Sequence, residues 1–264
     1  MNIFRRELRA NLKSLIIWGV IAVLFVTLGI SKFSAYEGNP ELLAVLDSMP
    51  QPLLDAFNFQ AFNLTTVTGF FGVMFTYFAL LLSIAAAMWG SDIISKEEAD
   101  KTVEFSLTLP VTRSRLVTAK TGAALVNCIG LLLITWGAAL AGSAQYQPDR
   151  EFYNFLGLSM LALFIMQLIF LSVGIFLGCA MKQYKRASSV AVSLLLGTYF
   201  ISIISGLNEN LEFLKYFSPF KYFNPATLLH ESKFDVAFIW LSAGIVAVLL
   251  VGAYVSYSRR DLYI

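Results

Sequence analysis

The chain has almost no charge where it is most apolar. Six stretches, residues 15–33, 67–91, 121–144, 154–181, 187–207 and 236–257, hold a single charged residue, Lys32 at the very end of the first. An intramembrane charge costs at least about 2.5 kcal/mol and usually marks an ion or proton pathway. Its absence excludes a proton relay inside the membrane, so the energy for any movement must come from elsewhere. Histidine is scarce as well: His230 is the only one, outside these stretches. One histidine and two dispersed cysteines cannot build a zinc or bis-histidine haem site. His230-Glu231 lacks the second histidine of H-E-x-x-H, which leaves His230 a surface residue and predicts no metal site. Cys128 and Cys179 fall within apolar stretches, where packing is a better reading than a disulfide. No G-x-x-x-x-G-K-[ST] string occurs and no Lys follows a Gly, which excludes ATP hydrolysis by this chain. An intramembrane protease needs a Ser/His pair or two Asp within the spans, and neither is there. No sustained basic stripe supports a nucleic-acid role.

What is present is apolar surface. Of 264 residues, 58% are hydrophobic, 14% are charged and 23 are Phe, beyond the balance of a soluble domain. A hydrocarbon core takes about 20 apolar residues of helix, so the six stretches predict an all-α membrane protein with six transmembrane helices. The segments left over, 34–66, 92–120 and 208–235, are each too short for a core of their own. Residues 1–264 are therefore one polytopic domain. The basic start followed by an apolar run of about 19 residues lacks a cleavage site and reads as an uncleaved first span. Arg5, Arg6, Arg9 and Lys13 precede that span, Lys182, Lys185 and Arg186 sit between the fourth and fifth, and Arg259 and Arg260 follow the sixth. With the loop before residue 120, that side takes 14 of the 19 Lys and Arg. The positive-inside rule then places both termini in the cytoplasm.

Between the spans the patterns are local. Residues 2–13 put Ile3, Phe4, Leu8 and Leu12 near one helical face, as in an interfacial helix lying in the headgroup layer before the chain turns into the membrane. The segment 34–66 is broken by Pro40, Pro50 and Pro52, and its residues 53–62 predict a second interfacial helix on the outer leaflet. The sequon Asn63-Leu64-Thr65 is too common a pattern to weigh. YFSPFKYFNP at 216–225 reads as a belt of aromatics anchoring the last span. Gly174-x-x-x-Gly178 and Gly137-x-x-x-Ala141 are pairs that let helix backbones approach. No internal repeat is found, which counts against an inverted-repeat carrier.

The most charged segment is SDIISKEEADKTVEFSLTLPVTRSRLVTAK, residues 91–120, with five acidic and five basic residues. Ser95 and Glu98 fit a capping box opening a short helix over about 96–108. Pro110 stops it, and Thr112 can cap a second helix that runs into the third span. On the first, Ala99, Val103, Ser106 and Leu107 share one face, and Glu97, Asp100, Lys101 and Glu104 lie largely on others. Such a helix can be a docking element for a soluble partner or a solvated loop, and the pattern alone does not separate the two.

This segment resembles the permease subunits of ABC-type exporters of the type 2 class. In them an E-x-x-x-T-x-E-F-x-L-x-L-P-V-x-R-x-x-x-x-x-K string joins spans two and three. Here it is Glu98, Thr102, Glu104, Phe105, Leu107, Leu109, Pro110, Val111, Arg113 and Lys120, with Lys101 where many relatives have Gly. SPFKYFNPATLL at 218–229 is similar to the family's S-P-F-x-Y-F-[DN]-P stretch, and AYVSYSRRDLYI at 253–264 to its Y-x-x-x-R-D ending. The resemblance implies a multi-pass protein of the bacterial cell membrane that works as a homo- or heterodimer. It implies no cofactor of its own, ATP being bound by a cytoplasmic ATPase on each subunit. It also implies a coupling helix whose candidate residues are Glu97, Glu98, Thr102, Glu104, Phe105, Leu109, Pro110 and Arg113. The uncharged spans favour hydrophobic or amphipathic cargo such as a drug, peptide or lipid. Two functions fit: a permease driven by the ATPase, and a membrane anchor or immunity component that uses the same motion to extract membrane-active compounds without export. An ion-coupled carrier ranks behind both.

Overall fold

A computed structural model describes residues 3–37, 39, 54, 62–99, 112–207 and 209–259. Helices α1 (Ile3–Phe33), α2 (Val67–Ala99), α3 (Arg113–Ser143), α4 (Arg150–Ala180) and α5 (Tyr184–Leu207) follow in order. A 3-10 helix, Glu209–Phe217, and two short helices, α6 (Pro219–Tyr222) and α7 (Pro225–Glu231), lead to α8 (Val236–Arg259). No strand occurs among the described residues. Six of the helices are long and apolar enough to cross a membrane. In lipid every backbone N–H and C=O must be satisfied within the segment, which a helix does unaided. The six-span, all-α expectation is met. Helices of 31 residues are about 46 Å long, well beyond the roughly 30 Å hydrocarbon core, so their charged ends project from it.

The bundle is built around α2 and α4, which are apolar nearly all round and buried over most of their length. Their backbones touch. A Cβ added at Gly174 would meet the Ala87 carbonyl and the Ser91 nitrogen, the latter at 2.9 Å, and one at Gly178 would meet the Ser91 oxygen at 2.9 Å. Gly90 faces the Leu171 and Ile175 backbone in the same way. Gly174-x-x-x-Gly178 is thus a true helix-packing pair. Gly137 is not, because nothing lies within 4 Å of its would-be Cβ. Its side of α3 also carries the exposed Leu133 and Leu140.

α1 lies against α3 through one stripe, Gly19, Ala22, Val26, Ile30 and Phe33, spaced three and four residues apart as a 3.6-residue period requires. The interfacial helix expected at residues 2–13 is not a separate element. No Pro or Gly occurs before Gly19, nothing breaks the hydrogen-bond ladder, and the helix runs unbroken from Ile3 to Phe33. Ile3, Phe4 and Leu8 pack against the protein core, with Phe4 over Gly122. The helix expected at 53–62 lies almost wholly outside the described residues. Asn63 of the sequon closes an Asx turn before α2, its Oδ1 accepting from the Thr65 nitrogen at 3.0 Å and the Thr65 hydroxyl at 2.7 Å.

The aromatic segment before α8 is only half a belt. Tyr216 and Phe217 are exposed, but Tyr222 and Phe223 are buried, Tyr222 stacked on Phe238 with ring centroids 4.9 Å apart. The Ser218 hydroxyl donates to the Thr198 carbonyl at 2.7 Å and the Tyr222 hydroxyl to the Tyr216 carbonyl at 2.6 Å. Asn224 caps α7 through the Ala226 nitrogen, with Pro225 at the first helical position. The S-P-F-x-Y-F-N-P stretch therefore knots the 209–231 segment onto α5 and α8.

Candidate functional site

The segment singled out in the sequence joins the end of α2 to the start of α3. α2 continues through Ser95 to Ala99 without a break, so the capping box at Ser95 and Glu98 does not form. The Ser95 hydroxyl donates instead to the Ser91 carbonyl at 2.9 Å, one turn back, the alternative a serine takes inside a continuing helix. Glu97 and Glu98 thus belong to the last turn of α2. Thr102, Glu104, Phe105, Leu109 and Pro110 lie outside the described residues, as does most of the expected short helix.

Past this segment the chain is firmly held. Thr112 caps α3 as expected: its backbone is extended and its Oγ1 accepts from the Arg115 nitrogen at 3.3 Å. Arg113 opens the helix, and its Nη1 donates to the Tyr257 and Ser258 carbonyls of α8, each at 3.3 Å. The last carbonyls of a helix lack intrahelical donors and carry its negative end, so a guanidinium there is doubly favoured. One turn on, the Thr118 and Tyr254 hydroxyls meet at 2.8 Å, a second tie to α8.

Lys120 provides the tie to α2. It is fully buried, 0% exposed, and its Nζ donates to the Ile93 carbonyl at 2.6 Å. The carbonyl's second lone pair accepts this bond without disturbing the helix. The first two turns of α3 are thus tied to both α2 and α8. Of the candidate residues whose side chains are described, Arg113 belongs to this network. Lys120, quoted in the string but not as a site residue, is its most buried member. The signal was there: Leu116, Val117, Ala123 and Ala124, at three and four residues on either side, are all buried, which puts Lys120 in the middle of the core-facing stripe. Glu7, buried near the start of α1 and paired with Arg6 at 3.0 Å, gave no such signal. His230 is exposed, and both cysteines are buried in the core, neither of them in a disulfide.

None of the curated proteins matches the chain. Residues 1–262 match the family model described as ABC-2 family transporter protein. Six apolar helices, a charged segment between the second and third, and a family match over nearly the whole length agree, and the chain belongs to the ABC-2 family of membrane transporter proteins.

Proposed function

We propose that this chain is the permease subunit of an ATP-driven exporter in a bacterial cell membrane, pairing with a second permease subunit to enclose the path. A separate cytoplasmic ATPase docks on residues 91–120 and supplies the energy. The chain itself hydrolyses nothing and carries no cofactor. Its cargo is hydrophobic or amphipathic, a drug, peptide or lipid. The observation that carries this reading is the anchoring of α3 to α2 and α8 directly after the charged segment. A partner moving that segment would move the most buried helix of the bundle with it. The uncharged spans support an outside energy source, because they hold no relay for coupled ions.

Glu98→Ala and Phe105→Ala are the direct test. Both variants are expected to reach the membrane normally yet bind the ATPase more weakly, since truncating a packed aromatic at an interface often costs about 2 kcal/mol or more. Solvated loop residues would cost within about 0.5 kcal/mol of stability and nothing in activity. Complex formation, ATP hydrolysis and export separate the outcomes, and wild-type values in all three return the segment to an ordinary charged loop.

Orientation is tested independently. Single cysteines at Ser34 and Lys182, both exposed, are introduced in a background lacking Cys128 and Cys179. An impermeant thiol reagent on intact cells is expected to label position 34 and spare 182. The opposite pattern would invert the topology. A purified active complex with one copy of this chain and no other permease would end the paired arrangement.

A further inference from the structure

At the basic end of the bundle, α1, α2 and α5 enclose a cleft of about 510 Å³. Among the described residues, Lys13, Lys96 and Lys185 line it, one from each helix, together with the carboxylate of Asp92. That carboxylate is hydrogen-bonded to the Ser188 side chain and faces Lys96. Trp89 forms part of the wall, its Nε1 donating to the Ser14 hydroxyl at 2.8 Å. We propose that this cleft binds the phosphate of an anionic phospholipid whose acyl chain lies along α1.

Two independent features point to a lipid rather than a dissolved anion. The first is depth. Lys13 is the last charged residue before the apolar run of α1, and an indole and lysines at that level mark the headgroup layer. The second is the apolar path leaving the cleft. Ile17 lines it, and Ile17, Ile21, Leu24 and Leu28 are all exposed. Their spacing of four, three and four residues keeps them on one side of α1, a stripe about 16 Å long. A soluble phosphate would make no use of that stripe. Lysine suits the headgroup, because its ammonium is a compact charge on a flexible stem that can gather round a phosphate from three helices. Asp92, Ser95 and Lys96 also belong to the segment proposed to meet the ATPase, so the test below is run without the ATPase.

The experiment uses the full chain with Trp89 as its only tryptophan (Trp18→Phe, Trp136→Phe and Trp240→Phe), reconstituted in phosphatidylcholine vesicles. These contain a minority of brominated phosphatidylglycerol or, in the parallel arm, brominated phosphatidylcholine. Phosphatidylglycerol is expected to quench Trp89 fluorescence at several-fold lower mole fraction. Each Lys→Gln change at 13, 96 and 185 is expected to reduce that preference and the triple change to remove it, and Lys→Arg changes are expected to keep it. All three side chains are exposed. Equal quenching by the two lipids, or a preference unchanged in the triple Lys→Gln variant, overturns the site. Loss of the preference on adding millimolar inorganic phosphate at constant ionic strength overturns the assignment to lipid and leaves a soluble-phosphate site.

Discussion

Lys120→Met is expected to reach the membrane at the wild-type level and to lose export per ATP hydrolysed by about tenfold to a hundredfold. Methionine has similar length and fits an apolar stripe, so the core around Leu116, Val117, Ala123 and Ala124 stays filled. What disappears is the bond from Nζ to the Ile93 carbonyl. A hydrogen bond from a charged donor contributes about 1.5–3 kcal/mol, and each 1.4 kcal/mol is about tenfold in an equilibrium. Without the bond α3 can move while α2 stays, and movement of the charged segment is no longer passed to the centre of the bundle. Lys120 is fully buried and offers a partner no surface, so the proposed ATPase should still bind, and hydrolysis and export separate. Export in reconstituted vesicles, divided by phosphate released, reads the effect, and a wild-type ratio would remove Lys120 from the coupling path. Lys120→Glu is expected to fail at assembly, because it buries an acid facing a carbonyl oxygen.

Gly174→Leu is expected to abolish the folded protein rather than tune it. The added side chain would enter the space held by the Ala87 carbonyl and the Ser91 nitrogen of α2, and backbone inside a helix cannot yield as a side-chain tip can. Overpacking a tight core typically costs about 1–3 kcal/mol and occasionally more, and this contact joins the two most buried helices, so about 3 kcal/mol or more is expected. Gly157→Leu, on the same helix with nothing within 4 Å, is the control. Membrane yield and the midpoint of thermal unfolding in detergent are the readouts, with loss at 174 and near-normal values at 157. Equal behaviour would mean that α2 and α4 do not pack as described.

The six spans were legible because hydropathy measures the property the bilayer selects. The helix ends were not, because a helix continues into water for as long as its backbone is satisfied. α2 passes residue 91 to reach Ala99, and α3 starts at Arg113, eight residues before the apolar run. The box at Ser95 matched a local pattern, but such a cap needs a non-helical residue, and the preceding turn is helical. The two small-residue pairs look alike in sequence and differ in what surrounds them. Gly174 shares its helix face with the buried Phe170 and Leu171, and Gly137 sits between the exposed Leu133 and Leu140. The residues three and four positions away are apolar or small at both pairs, so only the surroundings in the fold separate them. Arg113 was legible only through family resemblance, since nothing local announces that its partners lie about 145 residues away on α8.

The most direct measurement replaces residues 100–111 with a Gly-Ser linker of equal length and compares the variant with the wild type in nanodiscs containing the partner ATPase. With α2, α3 and the Lys120 contact unchanged, the account predicts normal insertion and thermal stability, loss of the stable complex, and ATP hydrolysis falling to the rate of the ATPase alone. A linker variant that binds the ATPase and stimulates hydrolysis as the wild type does would contradict coupling through this segment.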